Sequence, residues 1–91
     1  MKKITLTKFN DPGHGWLRVP LALIKKLGLE DGITKYSYVQ GRYAYLEEDL
    51  DQTLFMLIAE RNKIQVAVRE YFTRGDSVIR HYTPWREQKD L

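Results

Sequence analysis

The chain contains no cysteine, which excludes disulfides and thiolate metal sites and is compatible with a reducing cytoplasm. Only 3 prolines and 6 glycines punctuate its 91 residues, and no repeat or low-complexity segment is present. Long apolar runs are missing too. The basic opening string MKKITLTKF alternates apolar and polar residues, so neither a signal peptide nor a membrane span is expected. Charge of one sign is also scarce: 15 Lys and Arg against 12 Asp and Glu leave a net +3. That is far from the basic stripe of a dedicated DNA-neutralising surface.

Catalytic signatures are equally sparse. The string Gly13-His14-Gly15 has no Gly-x-Gly-x-x-Gly or Gly-Lys-Ser/Thr around it, so it is too short for a phosphate loop. Asp11, His14, His81 and the carboxylates at 47 to 49 have the chemistry for a metal or acid–base site. Their spacing does not favour one: no histidine pair stands at i, i+4 and no Asp-x-Asp-x-Asp loop occurs. No Ser lies in a nucleophile-elbow context. The expectation is a non-enzymatic protein with no cofactor and no metal.

What is present suits one small globular domain. Apolar residues make up 43% and aromatics 12% of the chain, enough for a single core and too much for disorder. That core is expected over residues 1–82, with the polar 83–91 (TPWREQKDL) as a frayed tail. So small a core makes homodimerisation a plausible source of extra stability.

Local patterns predict the elements. KITLTKF alternates as a strand, NDPG reads as a turn, and GWLRV as a second strand. Pro20 suits the start of a short helix over 20–27, which Gly28 closes. ITKYSYVQGRYAYLEE then holds two alternating runs around Gln40-Gly41, a hairpin signal. With those two residues as the loop, Tyr38 faces Tyr43 and Tyr36 faces Tyr45, and all four tyrosines share one face. That face is either packed under a helix or presented as an aromatic platform for a partner. A longer helix is predicted over 50–61, with Leu50, Leu54, Leu57, Ile58 and Arg61 inward. Asp49 or Asp51 is its expected cap, and Asp49 with Gln52 has capping-box spacing. KIQVAVREYF and VIRHY read as further strands.

Two resemblances sharpen this reading. DPGHGWLRVP, LGLEDGITKYSY and YLEEDLDQTLF resemble a family of small proteins encoded by bacteriophages and plasmids. Asp11 to Trp16, Leu27 to Leu29, Tyr36 to Tyr38, and Tyr45 to Asp49 with Asp51 carry the likeness. It implies provenance and brings no catalytic residues. The layout from Gly15 to Glu48 is also similar to the swapped-hairpin domain of the AbrB and MazE transcription factors, which bind DNA as intertwined dimers. Gly15, Pro20, Leu27 and Gly28 match; Trp16 stands where a basic residue is usual, and Asp31-Gly32 reverses the usual order.

The reading is therefore an α+β domain, a small antiparallel sheet of four to six strands with one long and one short helix. It is expected to serve as a phage- or mobile-element-type accessory protein in the host cytoplasm, binding a host macromolecule, first of all a host defence or regulatory protein. His14, Trp16, Tyr38, Arg42, Tyr43, Glu47 and Glu48 are the candidate binding residues, since aromatic and Arg side chains anchor hot spots. The alternative is a dimeric DNA-binding regulator of swapped-hairpin type using Arg18, Lys25, Lys26 and Arg42.

Overall fold

A computed structural model describes residues 2–88. Six strands form one sheet in the order β5-β1-β2-β4-β3-β6. They are β1 (Lys2–Asn10), β2 (Gly15–Pro20), β3 (Tyr38–Gln40), β4 (Tyr43–Glu47), β5 (Ile64–Phe72) and β6 (Thr83–Pro84). Two helices, α1 (Leu21–Lys26) and α2 (Asp51–Arg61), complete the α+β fold. No helix among the described residues is long and apolar enough to cross a membrane.

The sheet is mixed, because β5 pairs with β1 in parallel while the other pairings are antiparallel. The helix between β4 and β5 is the cause. A crossover helix returns the chain to run in the same direction, and β4 is already parallel to β1 through β2. The expected run of purely antiparallel neighbours is corrected accordingly.

The hairpin loop also moves by one residue, which shifts every cross-strand partner by two. Tyr38 pairs with Tyr45 and Gln40 with Tyr43, so the loop is Gly41-Arg42 rather than Gln40-Gly41. Gly41 has φ of +60° and Arg42 stays at negative φ, the φ pattern of a type II′ turn. Glycine is favoured at that first loop position, and this sets the register. Tyr38, Tyr43 and Tyr45 still share a face, whereas Tyr36 falls in the turn before β3 and is exposed.

One face of the sheet carries Leu6, Leu17, Val19, Ala44 and Leu46, and packs with Ile24, Phe55 and Ala59 into the main core. Helix α2 turns Asp51, Phe55 and Ala59 inward. Leu50 and Leu57, expected inside, are exposed by 58% and 46%. The opposite face is aromatic: Trp16, Tyr45 and Ile79 form a second cluster with Phe9, Tyr38 and Tyr82 around it.

The segment after β5 covers part of that aromatic face. VIRHY is a 3₁₀ turn, Val78–His81, and not a strand; the Ser77 hydroxyl accepts the Ile79 N–H and caps it. Residues 83–88 belong to the fold instead of fraying. β6 pairs with β3, Trp85 is 4% exposed in the main core, and its indole donates to the Glu30 carbonyl. The remaining part of the expected tail, 89–91, lies outside the described residues.

Candidate functional site

Four connections meet at one end of the sheet: 11–14 after β1, 33–37 before β3, 48–50 after β4, and the Val78–His81 turn. Asp11 ties the first to the last. Its carboxylate accepts the N–H groups of Gly13, His14 and Ser77 and two donors from the Arg80 guanidinium, at 2.7 to 3.0 Å. The Arg80 guanidinium, against the cost of burial, holds the Asp11 carboxyl well below the usual carboxylate range, helped by the three backbone donors. Gly13 allows this geometry, since a Cβ there would lie 3.0 Å from the Arg80 guanidinium.

Glu47, the last residue of β4, does the work expected of Asp49 or Asp51. Its carboxylate accepts the N–H groups of Asp49, Leu50 and Asp51 as the chain enters α2. Burial acts to raise its pKa, but those backbone donors and His14 outweigh it and the net direction is down. Asp51 turns instead to the 33–37 connection, accepting the Thr34 N–H and hydroxyl and the Ser37 hydroxyl. Ser37 Oγ in turn accepts the Glu47 N–H at 2.9 Å. Asp49 is left exposed at the surface.

These struts frame two recesses on either side of the Val78–His81 turn. The polar recess, about 400 Å³, is lined by His14, Trp16, Lys35, Tyr36, Tyr38, Glu47, Asp49, Leu50 and Arg80. Within it His14 Nε2 stands 3.7 Å from Glu47 Oε2, and Nδ1 stands 3.5 Å from Glu48 Oε2. Donor atoms of His14, Glu47 and Asp49 all lie within 4.8 Å of one another. Trp16 is 2% exposed; its ring forms wall, with the Arg80 guanidinium 5.1 Å from its centroid and His14 edge-on at 5.2 Å.

The second recess, about 430 Å³, is aromatic and is lined by Phe9, Arg18, Tyr45, Tyr71, Val78, Ile79 and Tyr82 among others. Arg18 stacks between Phe9 and Tyr43, its guanidinium 5.1 and 5.0 Å from the two ring centroids. Burial, with Tyr82 beside it, pushes the Tyr45 hydroxyl above the ordinary phenol value. In the lining of this recess Tyr71 and Val78 are exposed by 57% and 62%, whereas Phe72, 71% exposed, pairs with Asn10 and faces the other side of the sheet.

The candidate binding residues thus divide. His14, Trp16, Tyr38 and Glu47 converge on the polar recess with Glu48 beside them. Tyr43 and Arg42 sit at the far end of β4, beside the start of α1. Of the residues proposed for DNA, Lys25 and Lys26 are exposed at the end of α1 and Arg42 in the hairpin turn, while Arg18 is engaged in its aromatic stack. His81 is exposed and lines neither recess. The sequence reading missed Arg80 because a strand was expected there, and it missed Tyr71, Phe72 and Val78 because edge exposure has no local signature. Comparison of the chain with protein-family models, with curated proteins and with solved structures finds no match.

Proposed function

We propose that the protein works without catalysis, as an accessory factor that binds a partner protein, and that the contact runs along β5 and the aromatic recess. One observation carries this reading: Tyr71 and Val78 are 57% and 62% exposed where they line a cleft shared with Phe9, Arg18, Tyr45 and Tyr82. Exposed aromatics around a concave apolar site with an Arg are the composition of a binding hot spot. Tyr71 also belongs to a strand at the sheet edge. β5 pairs with β1 on one side, and its nine residues carry no proline to blunt the other. An extended segment of a partner adds a strand to such an edge and places side chains in the neighbouring cleft. The resemblance to phage and plasmid proteins makes a host protein the partner of choice, in the host cytoplasm.

The test is affinity capture from host lysate with wild type, Tyr71→Asp and Val78→Asp side by side. A defined protein retained by wild type and lost by both variants, with their thermal unfolding unchanged, supports the reading. Identical capture by all three overturns it. A mobility shift of duplex DNA that weakens steeply with salt and is lost on Lys25→Ala/Lys26→Ala/Arg42→Ala would replace it with the DNA-binding alternative.

A further inference from the structure

The polar recess calls for a separate account, because protein docking at β5 does not use it. We infer that His14, Glu47 and Asp49 form a binding site for a divalent transition cation of the zinc or manganese type. Two ligands about 2.1 Å from a tetrahedral ion lie roughly 3.4 Å apart. His14 Nε2 and Glu47 Oε2, at 3.7 Å, are too far apart for a good hydrogen bond and close to that separation. The third donor is available, since every pair in the trio lies within 4.8 Å and Asp49 is exposed and free to swing inward.

The ligands come from two connections fixed by the fold. Glu47 is oriented by three backbone N–H groups: Oε1 takes two of them, while Oε2 takes only the Asp49 N–H and keeps a lone pair toward His14. His14 is placed by its own N–H on the Asp11 carboxylate. Glu48 Oε2, 3.5 Å from Nδ1, stands where an outer carboxylate accepts the second N–H of a metal-bound imidazole. Charge also balances. Glu47 and Asp49 match a divalent ion, and the nearest guanidinium, Arg80, is already neutralised by Asp11. Lys35 is the remaining cation of the lining, and its ammonium lies over the Tyr36 ring. One imidazole with two carboxylates suits zinc or manganese and disfavours calcium and magnesium, which take oxygen ligands throughout. Three protein ligands leave a coordination position for water or for a group offered by a partner.

The experiment is calorimetric titration of the chelator-stripped full chain with Zn²⁺ and Mn²⁺, with no partner present. The expected result is one ion per chain, with binding abolished in His14→Ala and Asp49→Asn. Neither residue packs in the core, so the folded state of both is checked by unchanged far-UV circular dichroism. Glu48→Gln is expected to weaken binding by about 10–100-fold, the usual effect of removing an outer-shell partner. Absence of one-to-one binding to wild type overturns the site, as does binding retained in His14→Ala or lost in His81→Ala. Because the titration contains no other protein, its failure leaves the docking reading untouched, and failure of docking leaves the ion site untouched.

Discussion

The two recesses share a wall and differ in nearly everything else. Val78 and Ile79 face the aromatic one and Arg80 the polar one, so a single 3₁₀ turn divides them. On the aromatic side large apolar side chains are left in solvent, the surface to which the docking proposal assigns a partner. On the polar side charges are gathered closely around Glu47, which three backbone donors pin, and the inferred ion would complete them. Neighbouring sites on one small sheet can thus be assigned opposite chemistry from burial and pairing alone. The Asp11–Arg80 pair holds the dividing turn to the 11–14 loop, and both recesses depend on it.

The sharpest way to break the comparison is to remove that strut. Asp11→Ala orphans a guanidinium and three backbone N–H groups. Losing one partner of a buried pair costs about 3–5 kcal/mol, and the exposure of Arg80 places this case near the lower bound, about 3 kcal/mol. Urea unfolding should show it, and both partner capture and ion binding should weaken together. If only one recess suffers, the turn is not the common support.

Acid should reproduce part of this in the wild-type chain. Asp11 and Glu47 both have folded-state values below their ordinary ones of 3.8 and 4.5. A carboxylate depressed on folding contributes stability that is complete above its unfolded value and lost as pH falls through its folded value. Stability should therefore hold from neutral pH down to about pH 4.5 and erode below it. In Asp11→Ala the erosion should be shallower, measured as the urea midpoint against pH. An equally steep loss would assign the acid response to other groups.

Replacing Val78 by Asp tests the aromatic side alone. The residue is 62% exposed, so stability should change by no more than about 0.5 kcal/mol, while partner affinity should fall by about 2 kcal/mol or more. Measured together, unfolding and binding separate a docking residue from a structural one.

The elements themselves were legible in the sequence because their signals are local. Pro20 and the Gly28 stop bracket α1, and the Leu29 N–H to Ile24 carbonyl bond closes it as a Schellman end. The hairpin is legible but its loop lies one residue further along than the sequence suggests, since glycine at either loop position satisfies a two-residue turn. The inner face of α2 was missed for a different reason. Leu50 and Leu57 fit a helical stripe as well as Phe55 and Ala59 do, and the choice between them was made by Asp51, whose buried carboxylate is drawn to Thr34 and Ser37. That pull is a tertiary bond across 14 to 17 residues, with no trace in periodicity. The site follows the same rule. His14 and Glu47 stand out as residue types, but their meeting depends on β2 and β4 pairing Trp16 with Glu47. Arg80 reaches Asp11 over a separation of 69 residues.

The smallest expected effect is the most discriminating. His14 lies three residues from Asp11 in the same loop, yet its ring makes no hydrogen bond shorter than its 3.5 and 3.7 Å approaches to the carboxylates. Its contact with Trp16 is a single edge-on approach at 5.2 Å. In metal-free buffer His14→Ala should therefore change the unfolding free energy by at most about 0.5 kcal/mol. With Zn²⁺ present wild type should gain thermal stability and the variant should not, because an ion that binds only the folded chain stabilises it by mass action. Equal stability of the two proteins without metal and divergence with it would mark His14 as a residue held for a ligand. A large loss without metal would make it architecture like Asp11, and the glycines on either side would then serve the fold alone.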